Sequence, residues 1–193
     1  MPNALHNIRR MLSSIIEIDD KEWDYFSAAL EVKTFKKKEL LLSADTICKN
    51  VYFVNIGLLR IFFTDKNGRE STFHFAQEYD LATDYESFLQ HSPSKYFIQA
   101  LEDTEVVVMT HDMVIEGYKK LRSGEKLGRL LTEKYFILYC NKIQALYTLT
   151  PIERYRAMNK LFPSVLQKVP QHFIASYLNI SSVHLSRLKN EPE

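Results

Sequence analysis

The chain has 193 residues, of which 46% are hydrophobic, 25% charged and 12% aromatic, a globular composition for one large domain or a medium domain plus a small one. Its two cysteines, Cys48 and Cys140, stand far apart without metal-type spacing, so disulfide scaffolds, zinc ribbons and Cys-held iron–sulfur clusters are excluded. The net charge of +1 hides an asymmetry: residues 1–118 carry 12 Lys and Arg against 19 Asp and Glu, and residues 119–193 carry 13 against 5. An acidic front and a basic back fit a regulatory module joined to a polyanion-binding one, or charge clustered on different solvated faces. No apolar run nears the ~18 residues of a membrane span, and charges interrupt every apolar stretch at the N-terminus. The expectation is a cytoplasmic protein without a cofactor, a metal site or a membrane partner.

Residues 5–31 are expected to be helical, because Leu5, Ile8, Leu12, Ile15 and Ile16, then Trp23, Phe26 and Leu30, recur near helical period. After Lys36-Lys37-Lys38 come six short runs rich in Val, Ile, Phe, Tyr and Thr. They span 39–42, 50–55, 58–64, 71–75, 96–101 and 105–110, and they read as strands. Asn67-Gly68 supplies the positive φ angles of a tight hairpin, and Gly57 marks another tight connection. Short strands with brief turns predict an antiparallel sandwich or barrel.

From His111 to Leu149 the pattern is helical again. Leu127, Leu131, Tyr135, Leu138, Ala145 and Leu149 form one row, interrupted by Lys142, while Leu130, Ile137, Ile143 and Leu146 lie on other faces. A helix apolar on more than one side needs two partners, its own barrel and a second subunit; the alternative is a single enclosed core helix. Thr150, Pro151 and Glu153 form a capping box with proline at the first position, which starts a helix that Pro163 ends.

Residues 170–190 read PQHFIASYLNISSVHLSRLKN. A short helix from Gln171 turns Ile174, Ala175 and Leu178 inward, and Asn179 tolerates the left-handed backbone that a tight turn needs. Ser181 caps a second helix whose inner side is Leu185 and Leu188. Its outer positions are Ser182, Val183, His184, Ser186, Arg187, Lys189 and Asn190, short polar groups plus cations of a kind that enters a major groove. Arg187 can bridge O6 and N7 of a guanine. Lys189 and the helix starts near Gln171, His172 and Ser181 fit phosphates. The plainer reading is a helical hairpin with a polar exposed face.

The whole chain, from about residue 5 to 190, resembles the bacterial CRP/FNR family of transcription regulators. The likeness is most specific at ERYRAMNKLFP (153–163), VPQHFIASYLNIS (169–181) and SFLQHSPSKYFIQALEDTEV (87–106); the last resembles a phosphate-binding cassette and its following strand. The resemblance implies an α+β fold. An antiparallel β-roll of the cyclic-nucleotide-binding type, a double-stranded β-helix, would occupy 1–110 as sensor. A long dimerisation helix would occupy 111–149, and a helix-turn-helix domain 150–193. It also implies a homodimer bound to double-stranded DNA, with RNA polymerase as a partner if the protein activates. The sequence stops three residues after Asn190, so the β-hairpin wing of many relatives is expected to be truncated.

The nucleotide site does not carry over. The family's Gly-Glu pair falls on Thr83-Asp84, and its phosphate-binding Arg falls on Ser94, with only the neighbouring Lys95 as a substitute point charge. A cyclic phosphate there would lack its compensating cation, so cyclic AMP and GMP are not expected as effectors; an unidentified small molecule is. The N-terminal cysteine cluster of oxygen-sensing members is missing, and His74, His91 and His111 stand singly as haem-ligand candidates. In the recognition helix Ser182-Val183 replaces the usual Arg-Glu while Arg187 is kept, which shifts the expected half-site, with Val183 favouring a thymine methyl. No catalytic residues are expected. A cupin-like metal enzyme needs converging histidines, and here only His74 and Glu78 form a spaced pair. A ligand-binding or protein-interaction module without DNA binding is the other alternative.

Overall fold

Backbone pairing organises the front of the chain in the computed structural model, which describes residues 4–190. Strands β1 (Glu31–Phe35), β2 (Leu40–Leu42), β3 (Asn50–Ile56), β4 (Leu59–Thr64), β5 (Glu70–Ala76), β6 (Leu81–Ala82), β7 (Phe97–Ala100) and β8 (Thr104–Thr110) build two antiparallel sheets. Their orders are β1-β8-β3-β6 and β2-β7-β4-β5, the two walls of a β-roll. β3 is buried on both faces because the roll interior lies on one side and α1 (Ala4–Ser13) on the other. Ile8 and Leu12 of α1 join the roll core, and Asn7 donates to the Asn55 side chain at 2.8 Å. The Gly57 connection has φ +105°, and a Cβ there would stand 2.6 Å from Thr104 Oγ1, so only glycine fits. Asn67-Gly68 makes the β4–β5 hairpin, where Asp65 accepts from the amides of Asn67 and Arg69.

The six expected strands are present. Two more are not visible in the hydrophobic pattern. β1, EVKTF, is an edge strand paired with β8 and exposed except at Phe35, which meets Tyr52 edge-on, and β6 is two residues long. The N-terminal helical segment therefore ends before residue 31, as α1 and α2 (Asp20–Ser27), the latter started by an Asp19–Glu22 capping box.

A second correction concerns residues 111–149. They form two helices, α4 (His111–Lys120) and α5 (Gly124–Thr148), with buried Leu121 at the elbow. The reason is a close crossing. A Cβ on Gly124 would come within 2.1 Å of the Gly117 carbonyl oxygen, and one on Gly128 within 2.5 Å of the Tyr118 ring. Helix α4 thus folds back against the first turns of α5.

The C-terminal helices are α6 (Pro151–Leu161), α7 (Val165–Lys168), α8 (Gln171–Tyr177) and α9 (Ser182–Asn190). The Thr150–Glu153 capping box starts α6 as expected. Met158, Phe162, Val165, Ile174, Ala175, Leu178 and Leu185 form a second core, and they share it with Leu58 and Phe75 of the roll. The C-terminal helices are therefore docked on the roll. Ser176 of α8 accepts from the Thr72 amide at 2.8 Å and donates to the Glu70 carbonyl at 3.3 Å, so one hydroxyl serves the free edge of β5.

Candidate nucleic-acid interface and effector cavity

Asn179 has φ +53°, the left-handed turn that links α8 to α9. Ile174, Ala175, Leu178, Leu185 and Leu188 are buried beneath that turn, and Ile180 packs on the same cluster. Ser181 Oγ accepts the His184 amide at 3.1 Å and so caps α9. With its inner face committed, α9 presents Ser182, Val183, His184, Ser186, Arg187 and Lys189 to solvent. Lys189 Nζ donates to Gln171 Oε1 at 3.2 Å, which brings the two helices' polar groups onto one surface. Gln171 and His172 are exposed at the start of α8. Asn190 ends α9, and its side chain lies outside the described residues.

Arg154 was not singled out by the sequence. Its Nε donates to the Leu178 carbonyl at 3.1 Å and its Nη1 to the Leu149 carbonyl at 2.7 Å. One guanidinium therefore ties the end of α5 to the end of α8. The signal was available only as a cation in the first turns of α6, and nothing local says where it reaches.

The four residues placed at the nucleotide position divide. Asp84 caps α3 (Tyr85–Gln90), accepting the Ser87 amide at 3.3 Å, and its other oxygen takes the Ser94 hydroxyl at 2.7 Å. Both are buried. Thr83 Oγ1 donates to the Asn50 carbonyl at 3.0 Å. Lys95 points outward, its ammonium 3.8 Å from Glu86. The residues aligned with an acid and a phosphate-binding arginine thus satisfy each other, and the cation lies outside. Thr83 and Asp84 line a cavity of about 380 Å³ between the roll interior, α4 and α5, open to solvent on one side; Ser94 and Lys95 do not line it.

Lys142 also gains a location. It lies where α5, β5 and α8 meet, donating to the Phe73 carbonyl, with its ammonium 4.0 Å from the Tyr177 ring centroid and 5.1 Å from that of Phe73. Burial pushes its pKa down to about 7. Nearby His74 is enclosed by Tyr139 and Phe162; burial first, and the charge of Lys142 second, push it down to about 3. Glu78 instead faces the Gly57 amide, so His74 and Glu78 do not converge.

On the other side of α5, Phe136 (67% exposed), Ile137 (58%), Ile143 (52%) and Tyr147 (84%) form an open apolar stripe. Among the described residues no helix is long and apolar enough to cross a membrane.

Residues 32–120 match the cyclic nucleotide-binding domain family. No curated protein matches the sequence. Among solved structures, FixK2 from Bradyrhizobium japonicum is similar at TM-score 0.70 and 18% identity, covering 83% of each chain. A protein described as a transcriptional regulator of the crp/fnr family from Eubacterium rectale gives TM-score 0.70 and 17% identity, over 89% of this chain and 82% of that one. A CooA variant from Carboxydothermus hydrogenoformans gives 0.65 and 17%, over 98% and 84%. At these identities the likeness establishes architecture. The chain therefore has the fold of the CRP/FNR transcription regulators, with a cyclic-nucleotide-binding-type roll ahead of a helix-turn-helix.

Proposed function

We propose that the protein is a sequence-specific DNA-binding transcription regulator without catalytic activity, working in the cytoplasm as a homodimer. Residues 1–110 are its sensor, 111–149 carry the dimer contact, which we place on α5, and 150–193 read DNA. The observation that carries this reading is α9. Its two leucines are spent on the core, and what remains outside is a polar, cationic helical face on which Arg187 forms no ion pair among the described residues. Such a face can enter a major groove, with phosphates held near Gln171 and Lys189. The exposed stripe on α5 supports the dimer, because two copies paired along it would present two recognition helices to a roughly palindromic site. An activating role would add RNA polymerase as a partner. Cyclic AMP is not assigned as effector, since Asp84 and Ser94 are bonded to each other where the phosphate would need a cation.

Selection of bound sequences from random DNA, followed by anisotropy titrations at several salt concentrations, tests the reading. Affinity is expected to fall steeply with salt while a preference for the selected sequence survives competitor DNA. Binding with no sequence preference, or no binding, would overturn it in favour of a module that has lost DNA recognition.

A further inference from the structure

We infer that the cavity between the roll and α5 is a binding site for a neutral, largely apolar small molecule, of aromatic or fused-ring character, rather than for an anion. The inference rests on the regulator reading above and names the ligand class of its sensor.

Size is the first argument. A cavity of about 380 Å³ lies within the range of ligand sites, roughly 300–1,000 Å³. A dry cavity of roughly 150 Å³ holds one benzene, so this space accommodates on the order of two or three ring units.

Chemistry is the second. The walls are dominated by rings and aliphatic groups, among them Phe73, Phe88, Tyr96, Leu131, Tyr135 and Phe136. Of the polar groups that line the cavity, four are already engaged, and the Tyr96 and Tyr139 hydroxyls are left for a neutral hydrogen-bonding group on the ligand. Thr83 gives its proton to the Asn50 carbonyl, and Asp84 receives Ser87 and Ser94. The Tyr135 hydroxyl accepts the Leu81 amide at 2.7 Å, and Thr132 donates to the Gly128 carbonyl at 2.8 Å. Neither Lys nor Arg is among the lining residues, so no wall offers a counter-charge to a buried anion. A ligand here gains by contact and ring stacking and needs no ion pair.

The site is also placed to be heard. Phe73 and Tyr139, their ring centroids 4.8 Å apart and their planes tilted by 48°, line the cavity, and Phe73 lies against Lys142, which in turn lies over Tyr177 of α8. Phe136 lines the same cavity and begins the exposed stripe of α5. A molecule in this space touches the rings that join the roll to both the helix-turn-helix and the seam.

The test is a fluorescence titration of the full chain with N-phenyl-1-naphthylamine, a neutral ring compound that brightens in apolar surroundings. Saturable binding of one probe per chain is expected, undiminished by millimolar cyclic AMP. Leu131→Trp fills the cavity from α5 and Val114→Phe fills it from α4. Whichever of them keeps the wild-type circular dichroism spectrum should weaken the probe by roughly tenfold or more. Ile143→Ser, on the exposed stripe outside the cavity, should leave the titration unchanged. Displacement of the probe by cyclic AMP overturns the ligand class. No binding, unaltered binding in a folded filled variant, or loss in Ile143→Ser at one probe per two chains overturns the site. DNA binding without probe, measured in parallel, reports on the regulator reading alone.

Discussion

The guanidinium carbon of Arg60, in the roll, lies 3.6 Å from the ring centroid of Phe173, in the first helix of the helix-turn-helix. It also lies 4.2 Å from the Phe62 ring centroid, Thr72 accepts from Nε at 2.9 Å, and Glu70 pairs with Nη1. Nη2 has no partner among the described residues. Burial lowers the Arg60 pKa, opposed by Glu70. The stack, not a full set of hydrogen bonds, holds this arginine in place. Phe173→Ala should therefore cost about 2–3 kcal/mol in urea unfolding, combining lost ring burial with the lost cation–π contact. Arg60→Met should cost under about 1 kcal/mol, because the half-exposed Glu70 remains hydrated and a desolvated charge disappears. The reverse ranking would refute this account of the junction.

Stability should depend on pH through two groups at the same junction. Lys142 titrates at 10.5 in an unfolded chain and at about 7 here. Between those values the unfolded chain holds a proton that the folded one lacks, so stability rises as pH is raised above about 7. Below that pH both states are protonated and the penalty is constant. His74, lowered from 6.5 to about 3, acts the same way at lower pH, and stability falls as pH drops from 6.5 towards 3. Above pH 10 the buried hydroxyls of Tyr135 and Tyr139, which resist ionisation, reverse the slope. Lys142→Met should flatten the rise between pH 7 and 10 and be the more stable protein at pH 7, as read by guanidinium unfolding; an unchanged slope would show the ammonium is hydrated.

Two glycines of the α4–α5 crossing should respond in opposite degree. Gly124→Ala drives a methyl into the Gly117 carbonyl and should destabilise by on the order of 2 kcal/mol or more. Gly117→Ala meets the Phe26 ring at 3.4 Å and the Leu121 side chain at 3.9 Å, both near ordinary contact, and gains helix propensity, so it should change stability by less than about 1 kcal/mol. Thermal melts of the two variants check the contrast.

Phe136, Cys140, Ile143 and Tyr147 follow the alternating four-and-three spacing of a coiled-coil seam, and Cys140 is exposed while Cys48 is buried. In a parallel pair about a two-fold axis the two Cys140 residues face each other. Mild oxidation should yield a covalent dimer on a non-reducing gel, and Cys140→Ser should abolish it. A chain that stays monomeric in sedimentation and uncrosslinked would remove the seam.

Arg187→Ala should weaken selected DNA sites by on the order of 1–3 kcal/mol and leave non-specific binding nearly unchanged. Lys189→Ala should weaken all sequences alike and lower the salt dependence by about one ion. Competition titrations at two salt concentrations separate the two behaviours.

What could be read from the sequence follows from how local each determinant is. The Thr150–Glu153 cap and the Asn179 turn each rest on a few adjacent residues and stand as expected, whereas the β4–β5 hairpin forms where expected but as a longer loop, residues 65–69, in which Gly68 and not Asn67 takes the positive φ. β1 was missed because an edge strand held by backbone pairing needs no apolar alternation. The break at Leu121 was missed because apolar helical periodicity runs through it, although the two glycines that let the helices cross, Gly117 and Gly124, stand only seven residues apart. Alignment placed Asp84 and Ser94 at one site, yet it could not show that they close that site by bonding to each other. Lys142 registered only as an interruption, since its environment comes from β5 and α8.

The single hydroxyl of Ser176 has a further role. β5 is the last strand of its sheet, and its outward amide and carbonyl at Thr72 and Glu70 are occupied by α8 instead of another strand. The docked helices therefore act as a stopper on an otherwise open flank. Any state that lifts them away would uncover a seven-residue template rich in aromatic groups, ready for strand addition from another copy. Cover for that flank thus depends on the apolar core that Phe162 and Tyr177 share with Phe75, with the hydroxyl closing the last two backbone groups.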